Sequence, residues 1–197
     1  MRNNDKEIIL EKKKLRKYIQ DKRDALSIKE REIKSRAAAE KFFSTKDYIK
    51  ARNILICYPF RSEINTKIII EDALNKGKKI ILPRVDKNKL NLYFVNNLKD
   101  KLGKGAYGIM EPDPLLCKRT KAADIDLAVT PGIGFDKNFN RLGYGGGFFD
   151  RLFPYLPKRA KKVALCFDIQ VMPNIPVAKN DKKIDILITE SKIYNSC

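Results

Sequence analysis

The segment from Arg141 to Asp150 holds the residue types best suited to chemistry, because four glycines fall within positions 143–147, just before a helical pattern. Glycines allow backbone N–H groups to approach an anion closely, and the start of a helix adds positive potential. Arg141 can bind two phosphate oxygens, and Asp150 can hold a magnesium ion that bridges phosphates. A flexible glycine loop is the alternative interpretation. The flanking charges favour a phosphate-handling site.

Two common phosphate-binding motifs do not explain this segment. Gly103–Gly108 matches the dinucleotide fingerprint GxGxxG by letter. However, a polar stretch precedes it where a strand is required, and two prolines follow where a helix should begin. We therefore reject it as a nicotinamide or kinase loop. The sequence also lacks GxxxxGK followed by Ser or Thr, so it is not a P-loop enzyme.

Composition excludes several kinds of catalytic site. The chain has no histidine, which rules out serine–histidine triads, histidine-ligated zinc and imidazole acid–base catalysis. Its four cysteines are scattered without a CxxC pair, so neither a disulfide framework nor a zinc site is predicted. Cys57 and Cys166 fall in apolar runs and are predicted to be small buried hydrophobic residues. Charged side chains, Tyr, backbone amides or a hard metal ion must carry any chemistry.

The net charge of +18 comes mainly from lysine, and acidic residues are interspersed throughout. This pattern favours a lysine-rich solvated surface over the concentrated Arg and aromatic face of a nucleic-acid reader. A positive field also attracts anionic small molecules such as nucleotides and polyglutamylated cofactors. A basic nucleic-acid-associated protein is the main alternative function, and another α/β enzyme that binds sugar phosphates or transfers acyl groups is the third.

Membrane and export signals are absent from the sequence. No apolar run approaches the roughly 20 residues of a membrane helix. Only the short run Ile8–Leu10 follows the charged start before charges resume, and it is too short for the core of a signal peptide. The sequence therefore predicts a cytoplasmic protein with no membrane partner.

Hydrophobic periodicity predicts helices that alternate with strands along the chain. The predicted helices cover residues 6–25, 27–43, 68–75 and 148–156, and the predicted strands cover 53–58, 79–85, 90–95, 125–130, 162–167 and 184–189. Ser27 and Glu30 form a capping box at the start of the second helix, and Thr66 is suited to cap the third.

This order of elements indicates one α/β domain over residues 1–197, built on an open, mostly parallel sheet with helices on both faces. Residues 1–50 form its helical amino-terminal part, and residues 51–197 form its sheet part. Ligands bind beyond the carboxyl ends of parallel strands. The glycine segment that follows strand 125–130 therefore lies where a site is expected.

The glycine segment is also the strongest part of a resemblance to a known family. The chain reads PGIGFD at 131–136 and RLGYGGGFFD at 141–150, which is similar to the signature PGxxFD…RLGxGxGYYD of the 5-formyltetrahydrofolate cyclo-ligases. Further landmarks of that family occur in the same order: KKKLR at 12–16, YPFRSEINT at 58–66, LPR at 82–84, YGIMEP at 107–112 and DKKIDILITE at 181–190. The chain departs from the family at Phe148 and Phe149, where tyrosines are usual, and at Asn65, which replaces an acid.

The resemblance implies ATP-driven, magnesium-dependent closure of 5-formyltetrahydrofolate to 5,10-methenyltetrahydrofolate, with release of ADP and phosphate. The implied path is phosphorylation of the formyl oxygen, attack by nitrogen ten and loss of phosphate. Positioning and charge stabilisation do most of the work in phosphoryl transfer, so this chemistry needs no histidine. Folate and ATP are the implied small-molecule partners, Mg²⁺ is the implied cofactor, and no specific nucleic acid is expected.

The resemblance also implies roles for individual residues. Arg141 and Asp150 would be catalytic. The residues implied to bind ATP are Lys12, Lys13, Lys14, Leu15, Arg16, Arg141, Leu142, Gly143, Tyr144, Gly145, Gly146, Gly147, Phe148 and Phe149. The residues implied to contact the folate are Tyr58, Glu63, Tyr107, Tyr144, Gly145, Gly146, Gly147 and Phe148. Asp150 and Asp185 would hold magnesium.

Some of these residues have a structural alternative. Lys12 and Arg16 lie four apart on one helix face, and this spacing also suits a solvated stripe. Tyr107 would be an ordinary loop aromatic unless a ring stacks on it. Glu63 is favoured as a functional residue, because a carboxylate suits the amino-pyrimidine edge of a pterin.

Asp150 and Asp185 are predicted to share one magnesium ion despite their separation in sequence. Asp185 opens a predicted strand that could run beside the strand before the glycine segment, and this would bring both carboxylates to one edge of the sheet. The alternatives are that Asp150 only stabilises the start of a helix and that Asp185 only pairs with Lys183 or caps a strand.

Overall fold

The computed structural model describes residues 3–98, 101–105 and 108–196. Its strands are β1 (Asn53–Leu55), β2 (Lys79–Asp86), β3 (Lys89–Val95), β4 (Leu102–Lys104), β5 (Met110–Pro112), β6 (Lys118–Thr120), β7 (Leu127–Val129), β8 (Gly134–Asp136), β9 (Arg141–Leu142), β10 (Lys161–Leu165), β11 (Val171–Met172), β12 (Ile186–Ile188) and β13 (Ile193–Asn195). Its α-helices are α1 (Asn3–Asp24), α2 (Ile28–Phe43), α3 (Lys46–Lys50), α4 (Lys67–Asn75) and α5 (Phe148–Leu152). None of the helices in these ranges is long and apolar enough to cross a membrane.

Eight strands form the central sheet in the order β13-β12-β10-β7-β1-β2-β3-β6. The five consecutive strands β12, β10, β7, β1 and β2 run parallel to one another. The outer strands β13, β3 and β6 pair antiparallel. The predicted mostly parallel α/β sheet is therefore confirmed, with antiparallel strands added at both edges.

Helices cover both faces of this sheet, because consecutive side chains of a strand point to opposite faces. On one face, Ile54 packs in a cluster with Phe42 of α2 and Ile70 of α4. On the other face, Leu55 packs in a second cluster with Phe149 of α5. Full burial of each such side chain contributes about 1.5–3 kcal/mol of transfer free energy. Alternate residues of β1 therefore pack on opposite faces of the sheet.

The ends of two helices test the capping predictions. The capping box at α2 is confirmed, since the Ser27 side chain accepts from the Glu30 N–H and the Glu30 carboxylate accepts from the Ser27 N–H. Thr66 occupies the N-cap position of α4, as predicted, but it does not cap the helix through its side chain. Its side chain makes no cap hydrogen bond to α4, because the hydroxyl donates to the Cys57 carbonyl at 2.7 Å. Thr66 therefore ties α4 to the segment after β1.

A second, three-stranded sheet in the order β11-β8-β9 leads into the glycine segment. Asp136 ends β8 and is fully buried. Its carboxylate accepts from the N–H groups of Asn138 and Asn140 at 2.9 and 3.0 Å, from the Asn140 side chain at 2.9 Å and from the Ile175 N–H at 3.0 Å. The carboxylate thereby fixes the tight turn that delivers Arg141 to β9.

We expect the Asp136→Asn variant to lose about 2–4 kcal/mol of unfolding free energy, because an amide N–H₂ would face backbone donors in a buried position. Urea unfolding followed by circular dichroism measures this change. The matched control is Asp21→Asn on α1, where the exposed carboxylate pairs with an exposed Lys17 and the change should be below about 1 kcal/mol. Equal stability of the two variants would contradict the role given to Asp136.

Candidate active site

A cavity of about 950 Å³ lies beyond the carboxyl ends of β1 and β7. Its wall is formed by α1, by the segments after β1 and β7, by β2 and β5, and by the glycine segment. The predicted site residues in this wall are Lys12, Arg16, Tyr58, Glu63, Arg141, Leu142, Gly143, Tyr144, Gly145, Gly146, Gly147, Phe148, Phe149 and Asp150. A space of this size suits a ligand of cofactor dimensions.

The glycine segment follows a path that side chains would obstruct. Gly145 has a φ of +105° and Gly147 a φ of +63°, and only glycine adopts the first of these values without strain. Two arginines support the segment from its flanks. Arg16 Nε donates to the Gly143 carbonyl at 2.8 Å, and Arg151 Nη2 donates to the Gly146 carbonyl at 2.8 Å. The backbone is therefore held in a defined course along the cavity wall.

Arg141 is a buried cation of the cavity wall, with only 4% of its side chain exposed. Its Nη2 donates to Asp150 Oδ2 at 2.9 Å, and its Nη1 donates to the Pro131 carbonyl at 3.1 Å. The guanidinium also lies over the Phe149 ring at 5.7 Å. Its Nε is buried and has no hydrogen-bond partner among the residues that the structure describes. Since buried donors are normally paired, an anion in the cavity is a suitable partner.

Two carboxylates, Asp150 and Asp181, line the cavity, and Asp150 is the partner of Arg141. Asp150 Oδ1 accepts from the Lys182 N–H at 3.1 Å. The preceding residue, Asp181, accepts from the Ala178 N–H at 2.7 Å and forms an ion pair with Lys12. Both acids line the cavity. The site thus combines two carboxylates from different segments with cations of α1 and β9.

Asp185 does not join this pair. Its carboxylate accepts from the Lys162 N–H at 2.7 Å and pairs with the Lys162 ammonium at 3.2 Å. These contacts lie at the amino ends of the parallel strands β10 and β12, whereas Asp150 follows the carboxyl end of β7. The expectation that Asp150 and Asp185 meet at one sheet edge is therefore corrected. Asp185 contacts Lys162 rather than Lys183, at the start of β12.

The amino-terminal helix α1 contributes only part of its predicted set. Lys12 is buried, and both Lys12 and Arg16 line the cavity, so these two are not a solvated stripe. Lys13 and Lys14 are exposed, and neither belongs to the cavity wall. Leu15 packs against a small apolar cluster instead. The helix thus presents successive turns of one face to the site.

Glu63 is a carboxylate of the cavity wall that contacts the glycine segment directly. The Tyr144 hydroxyl donates to its Oε1, and the Phe60 N–H donates to its Oε2 at 3.1 Å. Burial raises the pKa of Glu63, and the hydrogen bond from Tyr144 opposes that rise. Tyr58 and Phe148 complete this wall. The region therefore offers a carboxylate acceptor among aromatic rings.

A protein-family model described as the 5-formyltetrahydrofolate cyclo-ligase family matches residues 8–190, which include every segment of this cavity. The chain belongs to this family. The 5-formyltetrahydrofolate cyclo-ligase of Mus musculus is 29% identical over 189 residues, which cover 91% of this chain and 93% of that protein. The Haemophilus influenzae 5-formyltetrahydrofolate cyclo-ligase is 34% identical over 143 residues, covering 71% and 76%.

Solved structures agree with this membership in the cyclo-ligase family. The NMR structure of Aquifex aeolicus 5,10-methenyltetrahydrofolate synthetase matches with a TM-score of 0.83 at 33% identity, covering 93% of this chain and 92% of that one. A 5,10-methenyltetrahydrofolate synthetase from Mycoplasma pneumoniae matches with a TM-score of 0.72 at 22% identity, covering 91% and 98%. The second match supports the fold.

The cavity of this cyclo-ligase also contains residues that the sequence did not single out. Asp181 opens the segment 181–190, in which the family resemblance implies a metal-binding role for Asp185 alone. Arg23 is buried and lines the cavity, and its spacing from Lys12 and Arg16 puts it on the same face of α1. Helical periodicity could therefore have found Arg23. Tyr107, predicted to contact the folate, lies outside the described residues.

Cys57 and Cys166 differ in their surroundings. Cys166 is 1% exposed and is the small buried hydrophobic residue that was predicted. Cys57 is half-buried and lines the active-site cavity. Burial raises the pKa of the Cys57 thiol, which keeps it protonated at neutral pH and removes it as a nucleophile.

Proposed function

We propose that this cyclo-ligase uses ATP and magnesium to close 5-formyltetrahydrofolate to 5,10-methenyltetrahydrofolate, with release of ADP and phosphate. The observation that carries the proposal is a single cavity lined by two chemically distinct sets of groups. One set is the glycine segment with a buried arginine whose Nε lacks a described partner. The other set is a carboxylate that accepts from Tyr144, with Tyr58 and Phe148 in the same cavity wall, which suits a pterin.

The reaction needs activation because a formyl oxygen is a poor leaving group. In the proposed path, this oxygen bonds to the γ-phosphorus as the bond to ADP breaks. Nitrogen ten then attacks the former formyl carbon, the C–O bond breaks, and phosphate leaves with the original formyl oxygen. The proton of nitrogen ten ends on the released phosphate, so atoms and charges balance.

The glycine segment and the cations beside it are suited to the phosphoryl-transfer step. Arg141 would stabilise negative charge on the transferring group through its guanidinium, whose Nη2 also holds Asp150 at 2.9 Å. Arg16 supports the glycine segment through the Gly143 carbonyl, which fixes the backbone against which the phosphates would lie. Lys12 would add charge from the same helix face. Positioning and charge stabilisation are the main contributions that phosphoryl transfer requires.

Asp150 and Asp181 are the residues that we propose to hold the magnesium ion. Both line the cavity. Each oxygen of Asp150 accepts one protein hydrogen bond and keeps a further lone pair. The contacts of Asp181 with Lys12 and Ala178 both fall on Oδ2, so Oδ1 is the oxygen that would bind the ion. Magnesium is commonly bound through one or two carboxylates together with phosphate oxygens and water, so this donor set fits it. When bound, the ion would neutralise charge on the phosphates.

Glu63 would bind the folate head group through N–H donors of its amino-pyrimidine ring. Its two oxygens each accept one protein hydrogen bond, which orients the carboxylate and leaves a lone pair on each. Tyr58 and Phe148 would pack against the ring system. Phe148 lacks the hydroxyl of the usual tyrosine and is instead covered by the Arg151 guanidinium at 5.1 Å.

The experiment that tests this chemistry follows the formyl oxygen. Substrate labelled with heavy oxygen in the formyl group is converted with unlabelled ATP, and the released phosphate is analysed by mass spectrometry. We expect one labelled oxygen in each phosphate and one ADP for each methenyl product. Label that appears in water rather than in phosphate would contradict the proposed path.

A further inference from the structure

Arg23 is a buried charged residue of the cavity that the proposed chemistry leaves without a role. It lies in the last turn of α1 and is 3% exposed. Its Nε donates to the Ser62 hydroxyl at 2.9 Å, and its Nη1 donates to the Tyr144 hydroxyl at 3.2 Å. Ser62 in turn donates to Asp24. The guanidinium is thus fixed by two side-chain hydroxyls.

These contacts form a directed chain that ends on Glu63. Arg23 donates to Tyr144, and Tyr144 donates to Glu63 Oε1. The three residues come from α1, from the glycine segment and from the loop after β1. Arg23 and Glu63 also line a small side chamber of about 30 Å³ next to the main cavity. Arg23 therefore reaches the Glu63 carboxylate through the Tyr144 hydroxyl.

We propose that Arg23 is a positioning residue for the folate head group, which holds Tyr144 against Glu63 and keeps the Glu63 carboxylate charged and oriented. The inference rests on the proposed function, in which Glu63 accepts N–H donors of the substrate. A buried carboxylate without a cationic neighbour favours its neutral form, and the neutral form has a donor O–H in place of an acceptor. Arg23 prevents that loss without touching the substrate.

The electrostatic surroundings of Glu63 support this role. Burial raises its pKa most strongly, and the opposing influences come from the Tyr144 hydrogen bond, the Arg23 charge and the Phe60 N–H. The other titratable group that faces Glu63 is the Cys57 thiol, whose pKa burial also raises. This thiol stays neutral. Arg23 is therefore the positive charge that stabilises the ionised Glu63 carboxylate among the described residues around it.

The first test compares Arg23→Met with Lys22→Met. Lys22 is the exposed neighbour on α1, so both variants lose one positive charge but only Arg23→Met disrupts the chain to Glu63. We expect Arg23→Met to raise the KM for 5-formyltetrahydrofolate by about tenfold or more, with the KM for ATP unchanged. Lys22→Met should match the wild-type protein in both. Arg23→Lys should recover only part of the loss, because an ammonium lacks the planar fork.

The pH dependence supplies a readout that a purely structural role would not move. Substrate affinity should fall as the pH falls through the pKa of Glu63, because the carboxylate takes up a proton. Without the Arg23 charge that pKa rises further, so the KM for the folate should begin to increase at a higher pH in Arg23→Met than in the wild-type protein. An identical pH profile for the two proteins would overturn the proposal.

Tyr144→Phe provides a second route if Arg23→Met does not fold. This variant keeps the ring and removes the hydroxyl through which Arg23 acts, so it should raise the folate KM on its own. Combining it with Arg23→Lys should raise the folate KM by less than the product of the single effects, because both changes break one chain. Independent effects, or a wild-type folate KM in Arg23→Met, would make Arg23 a structural residue. Failure of the proposed function is distinguishable, because the wild-type protein would then form no methenyl product.

Discussion

Replacing Arg141 by Met should lower kcat for ring closure by about 10²–10³-fold, because a buried cation placed beside the transferring phosphate contributes mainly to the transition state. The side chain is 4% exposed and fixed by Asp150 and the Pro131 carbonyl, so no neighbouring residue can take its position without rearrangement. Arg141→Lys should recover only part of the rate, since it keeps the charge but loses the fork. Initial rates at saturating ATP and folate measure both effects.

The matched control for Arg141 is Arg159→Met. Arg159 also pairs with an aspartate, Asp126, but its side chain is 69% exposed and lies outside the cavity wall. We expect wild-type kcat for this variant. A melting curve for Arg141→Met separates lost catalysis from lost structure, because Asp150 loses its ion-pair partner. A folded Arg141→Met protein with wild-type kcat would contradict the role given to the guanidinium.

The variants of Asp150, Asp181 and Asp185 should fall into two groups that differ in their magnesium requirement. Asp150→Asn and Asp181→Asn should each raise the magnesium concentration for half-maximal rate by about tenfold or more, equivalent to about 1.4 kcal/mol of binding free energy. Asp185→Asn should leave it unchanged, because this carboxylate is occupied by Lys162 at the opposite edge of the sheet. Rates measured over a magnesium titration at fixed ATP give the comparison.

Two further measurements make the aspartate series decisive. Asp181→Asn also releases Lys12 from its ion pair, so Lys12→Met is the control, and it should raise the KM for ATP without changing the magnesium requirement. Asp185→Asn should lower the melting temperature, since the Lys162 ammonium loses its partner. A magnesium requirement that rises in Asp185→Asn and stays normal in Asp181→Asn would contradict the metal site proposed here.

Much of the fold follows from local sequence patterns. The parallel core strands are short apolar runs, and the capping box of α2 is readable from Ser27 and Glu30 alone. The small β11-β8-β9 sheet was not predicted, because its strands are two or three residues long and their pairing depends on distant contacts. Asp136 belongs to the PGIGFD motif at 131–136. The sequence alone does not show that its carboxylate is buried and fixes a turn.

The motif from Arg141 to Asp150 confines its residues to one loop, and the structure places all of them in one cavity wall. Residues that converge through tertiary structure were less predictable. Asp181 and Asp185 share one segment, but Asp181 pairs with Lys12 of α1 whereas Asp185 pairs with Lys162 of β10. A strand assignment without a sheet register does not decide that. Arg23 was missed because its partner Tyr144 is distant in sequence, although its helical face was readable.

Formation of the methenyl product is the measurement that tests the central claim most directly. The purified protein is incubated with 5-formyltetrahydrofolate, ATP and magnesium, and the absorbance of 5,10-methenyltetrahydrofolate is followed with each component omitted in turn. The account predicts steady product formation only in the complete mixture, with no enzymatic rate when ATP or magnesium is left out. Equal turnover without ATP, or none in the complete mixture, would contradict it.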